Sequence, residues 1–255
     1  MALHLIGLGL YDASDVTVKG LERIRACDEV VAEFYTAKLT GTPFDELEAF
    51  LERKVRVLDR EGVELGGKDL VARAKTSDIA LLTAGDPLSA TTHADLIVRC
   101  RAEGVPVRVV HAPSIFSAAP GLVGLQHYKF GRTTTLVRPE DNWMPTSPFD
   151  AVQENHELGN HTLVLLDIKA DESYYMPANE GIGLLLKLAE MTGNDWFNEE
   201  TQVAVIARAG ADEPHVVTGP AGALQGMDHG EPLHCIVVPG GLQVVEQEFW
   251  DSLQC

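Results

Sequence analysis

The sequence predicts an α/β protein with two α/β domains, residues 1–111 and 112–255. Three observations carry that expectation. In the first half, short apolar runs alternate with stretches of helical periodicity, the pattern of a mostly parallel sheet covered by helices on both faces. Near Ala112 a second series of strand-like runs begins, and Pro113, Pro120, Pro139, Pro145 and Pro148 gather around that crossing and the long loop beyond it. Three apolar runs of the first half end in loops punctuated by glycine or proline, where a parallel sheet lines a ligand crevice. Two domains joined in this way leave a cleft, a usual place for a cofactor.

The predicted strands of the first half are Leu3–Ile6, Glu29–Ala32, Val55–Leu58, Ile79–Leu82 and Val107–Val110. Between them Val18–Ala26, Phe44–Leu51, Asp69–Ala74 and His93–Glu103 have helical spacing, as Leu96, Ile97 and Cys100 show in the last of these. The second half offers strands at Thr133–Val137, Thr162–Leu166, Gln202–Ala207, His215–Val217 and Leu233–Val238. Ala178–Met191 is its clearest amphipathic helix, Phe149–Glu157 is another, and Val244–Leu253 closes the chain.

Composition narrows the function. No apolar run reaches the roughly 18 residues of a membrane span, and the N-terminus lacks a signal-peptide pattern, so a cytosolic protein with no membrane partner is expected. Cys27, Cys100, Cys235 and Cys255 are scattered, which predicts reduced, mostly buried thiols. No histidine pair has zinc-hydrolase spacing, so no metal is expected. A net charge of −18 argues against direct nucleic-acid binding. Salt screens such self-repulsion, so the charge suggests a high-salt cytosol of the halophilic archaeal kind, with an ordinary acidic protein as the alternative.

Three loops carry the candidate chemistry. Gly7-Leu8-Gly9-Leu10 ends the first strand as if its backbone passes close to a ligand. A dinucleotide-binding loop would need a third glycine three residues on; that position is Asp12, and Ala13-Ser14-Asp15 has the look of continuing loop. A carboxylate there repels pyrophosphate and suits an uncharged or cationic ligand. Thr83-Ala84-Gly85-Asp86-Pro87-Leu88 is the second loop, with Asp86 either aimed at the crevice or capping a helix starting near Ser89-Ala90-Thr91-Thr92. His111-Ala112-Pro113-Ser114-Ile115 is the third, with Ser114 a helix cap or a ligand contact. Glu33, beyond Gly9 at a strand end, is the best support for a nicotinamide dehydrogenase. In the second half, Asp167 and Lys169 suggest a solvated ion pair, and His234 in its apolar run suggests a satisfied core residue. With no nucleophile triad or acid–base dyad in view, the chemistry points to a reactive cofactor held in position by the protein.

Taken together, His4-Leu5-Ile6-Gly7-Leu8-Gly9-Leu10-Tyr11-Asp12, Ala32-Glu33-Phe34-Tyr35-Thr36, Gly85-Asp86-Pro87-Leu88-Ser89-Ala90-Thr91-Thr92-His93, His111-Ala112-Pro113-Ser114-Ile115, Asn142-Trp143-Met144-Pro145-Thr146-Ser147, Leu166-Asp167-Ile168-Lys169-Ala170 and Val238-Pro239-Gly240 resemble the diphthine synthases, collinearly over nearly the whole chain. The glycine loop and Gly-Asp-Pro alone indicate only the wider tetrapyrrole-methylase-like fold.

The resemblance implies two α/β domains of that type with S-adenosylmethionine in the cleft between them, leaving as S-adenosylhomocysteine. It implies a homodimer that methylates the amino group of a modified histidine on elongation factor 2, three transfers giving diphthine. Carried over by motif, the cofactor contacts are Leu10, Asp86, Ser89, Ser114, Ile115, Leu166, Ala209 and His234; Ser89 stands where the family has an apolar residue, so its contact would run through backbone. No catalytic base is identified. Lys38, Lys129, Arg132 and Lys169 are candidates to hold the substrate carboxylate. A corrin-precursor methyltransferase of the same fold and a non-catalytic ligand sensor are the other readings.

Overall fold

The computed structural model describes residues 1–34, 39–58, 67–140 and 143–255. The chain forms two compact units, Met1–Ile115 with Lys169–Ser173, and Phe116–Ile168 with Tyr174–Cys255.

The first unit holds an all-parallel sheet of β1 (Ala2–Gly7), β2 (Glu29–Glu33), β3 (Arg56–Leu58), β4 (Asp78–Thr83) and β5 (Val107–Val110), in the order β3-β2-β4-β1-β5. β1 and β4 are central, so both of their faces are covered and both are nearly continuous apolar runs. Their alternate residues enter two cores: Ile6, Leu8, Ala80 and Leu82 pack on one side, Leu3, Leu5, Ile79 and Leu81 on the other. Helices α1 (Val18–Ala26), α2 (Phe44–Leu51), α3 (Gly67–Ala74) and α4 (Ala94–Ala102) alternate with the strands. Thr17 starts α1 by accepting the Gly20 amide at 3.0 Å.

The chain passes to the second unit within the first turn of α5 (Ile115–Leu122). This unit has a mixed sheet of β6 (Thr134–Leu136), β7 (Thr162–Leu166), β8 (Gln202–Ala207), β9 (His215–Pro220) and β10 (His234–Val238). The order is β9-β8-β10-β7-β6, and only β6 with β7 is parallel. Helices α6 (Ser147–Glu157), α7 (Ala178–Met191), α8 (Ala221–Gln225) and α9 (Val244–Ser252) complete it. Phe149, Ile182, Leu185 and Leu188 from α6 and α7 bury against Leu166, Val205 and Ile236 of the strands.

Several elements differ from the sequence expectation. Ala13–Asp15 is a 3-10 turn with Asp12 as its cap, not continuing loop, because Asp12 accepts the Ser14 amide and Asp15 reaches back to close a capping box. No helix begins at Ser89; α4 begins at Ala94, and Asp86 closes a turn through the Leu88 amide. α6 starts two residues early because Pro148 suits a first helical turn. Pro120 lies inside α5, which hid that helix in the sequence. Cys27, Cys100 and Cys235 are buried and Cys255 is exposed, all as free thiols.

Candidate active site

The loops at the carboxyl ends of β1 and β4 are joined by backbone. Gly9 donates to the Gly85 carbonyl at 3.3 Å and Gly85 returns a hydrogen bond to the Gly9 carbonyl at 2.6 Å. Both glycines sit at positive φ, +89° and +71°, which side chains disfavour. A Cβ on Gly7 would lie 2.5 Å from the Gly85 oxygen and 2.7 Å from the Ala112 Cβ, so any side chain there would push the three loops apart. The paired glycines after the opening strand therefore serve loop-to-loop contact.

Asp15 organises the first loop. Its Oδ2 accepts the amides of Leu10 at 3.0 Å, Tyr11 at 2.7 Å and Asp12 at 3.4 Å. The Asp12-x-x-Asp15 spacing of a capping box is the signal that could have found it.

Asp86 clamps the second loop to the third. Oδ1 accepts the Leu88 amide at 3.0 Å and the Ser89 hydroxyl at 3.4 Å. Oδ2 takes the His111 ring Nδ1–H at 2.7 Å and the Ala112 amide at 3.3 Å. A carboxylate offers about four acceptor sites, and four protein donors occupy them. Ser114 is buried immediately before α5, at its cap position, and Ile115 opens that helix. The loops thus bring Leu10, Asp86, Ser89, Ser114 and Ile115 to one end of the parallel sheet.

Glu33 does not face a ribose. It is 1% exposed, with the equally buried His93 Nε2 3.7 Å away. His93 Nδ1 bonds the Pro87 carbonyl at 2.9 Å, and burial holds its pKa below the usual imidazole value. The pair underpins the Gly-Asp-Pro loop from inside.

The second unit assembles the other candidates at one end of its own sheet. Cys235 pairs with Leu165 and Ala207 with His234, so Leu166 and Ala207 flank His234, and Ala209 follows in the turn between Arg208 and Gly210, both at positive φ. His234 accepts the Ala178 amide on Nδ1 at 3.1 Å and bonds the Glu231 carbonyl through Nε2 at 2.9 Å. Its ring therefore caps α7, whose own cap position, Pro177, supplies no side-chain hydrogen bond. Burial lowers the pKa of His234, keeping the ring neutral as this pairing requires.

The proposed substrate cations fare differently. Lys129 is not available: its ammonium bonds Glu246 Oε2 and the Gly241 carbonyl inside the second unit. Arg132 lies 3.5 Å from Glu154 at the surface, and Lys169 lies 4.0 Å from Glu172. Lys38 falls outside the described residues. Asp167 does not form the expected pair with Lys169; its Oδ2 accepts the Arg138 amide at 2.9 Å. Among the described residues no group of three or more His, Cys, Asp or Glu side chains is arranged to hold a metal.

Residues 2–225 match the family model of the tetrapyrrole (corrin/porphyrin) methylases. The chain is 48% identical over 246 residues to the diphthine synthase of Methanococcus maripaludis strain S2, covering 96% of each chain. It is 47% identical over 248 residues to that of Methanocaldococcus jannaschii, again covering 96% of each. The chain belongs to the diphthine synthase family. A crystal structure of a diphthine synthase superposes with a TM-score of 0.90 at 33% identity, covering all of this chain and 96% of that one. The putative diphthine synthase of Entamoeba histolytica gives 0.90 at 36% identity, covering all of this chain and 98% of its own. This family member is an S-adenosylmethionine-dependent methyltransferase of diphthamide biosynthesis with the two-domain tetrapyrrole methylase fold. No described helix is long and apolar enough to cross a membrane.

Proposed function

We propose that the enzyme methylates the amino group of the modified histidine of elongation factor 2, three transfers giving diphthine, and that it works as a homodimer in the cytosol of a salt-adapted archaeon. The observation that supports this best is identity of 48% over 96% of the chain to a diphthine synthase.

The residues present fit S-adenosylmethionine. Residues 7–12, 83–89 and 111–115 contain no lysine or arginine but include Asp12 and Asp86, with Asp15 just beyond. That balance suits a cationic sulfonium and opposes a pyrophosphate. A Cβ built on Gly85 meets no atom within 4 Å, which leaves open space over the second loop. When bound, the cofactor supplies an electrophilic methyl group on sulfur. The contacts we assign are Leu10, Asp86, Ser89, Ser114 and Ile115 of the first unit, and Leu166, Ala209 and His234 of the second. The side chains of Asp86 and His234 are already occupied, so their contacts run through backbone. The protein's part is to align a neutral amine with the methyl group and to exclude wrong geometries.

Incubation with elongation factor 2 carrying the unmethylated modified histidine, and mass spectrometry of that histidine, tests the reading. A gain of three methyl groups is expected. No gain on authentic precursor, with cofactor binding intact, would reject this substrate.

A further inference from the structure

An amine attacks only when neutral, and each of the first two methyl transfers leaves a proton on nitrogen that must go before the next attack. Building on the N-methyltransferase reading above, we infer that His111 Nε2 accepts these protons, with Asp86 as its positioning residue. The ring's Nδ1–H is held by Asp86 Oδ2 at 2.7 Å, which sets the neutral tautomer with its lone pair on Nε2. Nε2 makes no hydrogen bond among the described residues, and the His111 side chain is 68% exposed while that of Asp86 is 10% exposed. A carboxylate shut in by four protein donors and holding one exposed imidazole is the arrangement of a base and its orienter.

The other carboxylates and imidazoles near these loops are committed elsewhere. Asp12 accepts the Ser14 amide and hydroxyl, and Asp15 accepts three amides. Glu33 and His93 are each 1% exposed. His111 lies in the same loop as Ser114 and Ile115, directly after β5, at the end of the sheet where the cofactor loops converge.

The Nε2 lone pair binds an ammonium proton, and the N–H electron pair stays on the substrate nitrogen. That pair forms the new N–C bond as the C–S pair leaves with sulfur. The imidazolium then releases its proton to water from an exposed ring. After the third transfer nitrogen carries no proton and the base has no further task.

The H111N variant tests this, because an asparagine amide can still donate to Asp86 but has no basic nitrogen. Cofactor affinity by calorimetry should stay within about twofold, while transfer to the precursor of elongation factor 2 falls about 10²-fold or more. Added imidazole should restore part of the lost rate. Nitrogen-15 NMR of the wild-type ring should show Nδ1 protonated and Nε2 bare, a pattern lost in D86N. H111N transferring within about threefold of wild type, a slow variant that imidazole does not rescue, or a wild-type ring protonated on Nε2 would each overturn the assignment. Wild-type protein that binds cofactor yet transfers nothing rejects the substrate reading and this inference with it. Normal wild-type transfer beside an unimpaired H111N rejects the role of His111 alone.

Discussion

A single carboxylate can be placed by sequence while its distant partners stay hidden. Asp86 stands where a Gly-Asp-Pro loop aims a side chain toward a crevice, yet its oxygens face Leu88, Ser89, His111 and Ala112. The local turn was legible because glycine and proline fix it; the His111 and Ala112 partners lie 25 and 26 residues away and were not. His234 shows the same limit. Its apolar surroundings marked a satisfied ring, but the amide it caps, Ala178, belongs to a distant helix. Gly9 allows a test at this scale. A Cβ there would sit 2.2 Å from the Asp15 Cβ, at a φ of +89° that alanine resists. G9A should destabilise the protein by about 2 kcal/mol in urea unfolding and weaken cofactor binding in calorimetry. Unchanged stability and affinity would show that the loop tolerates separation from Asp15.

Among the elements, α9 is anchored by a buried charge rather than by apolar contact alone. Glu246 accepts the Gln126 amide at 2.9 Å and the Gln243 amide at 2.7 Å, and its other partners are the Lys129 ammonium and His161 Nε2. Burial alone would raise its pKa; these hydrogen bonds outweigh burial and hold it at about 2, below the ordinary 4.5. A depressed carboxylate pKa stabilises the fold above the unfolded value and loses that contribution as pH falls through the folded one. Stability of the wild type should therefore decline between pH 4.5 and about 2 in part through this group. E246Q should cost about 3 to 5 kcal/mol near neutral pH, because Lys129 keeps its charge without its partner. It should also flatten the acid limb of the stability curve. An equally steep limb in E246Q would place the acid sensitivity elsewhere. The sequence showed α9 as a closing helix and Lys129 as a free cation; a pair 117 residues apart lay beyond local pattern.

Over the whole molecule, charge and fold obey different rules. A net charge of −18 acts through summed repulsion, which needs no knowledge of contacts. If it reflects salt adaptation, the unfolding temperature should rise by several degrees between about 0.1 M and molar salt as the Debye length shrinks from about 10 Å to 3 Å. A flat or falling response would mark an ordinary acidic protein. Hydrophobic period, glycine spacing and proline placement by themselves determined the α/β class, the main strands and the three loops, because each follows from a few neighbouring residues; the grouping of Lys169–Ser173 with the first unit does not. Tertiary structure alone decided what those loops hold. Sheet order set β4 and β5 on either side of β1. With them it brought Gly9 against Gly85 and His111 against Asp86. Hydrogen bonds between residues far apart in the chain depend on that order, and local sequence carries no record of it.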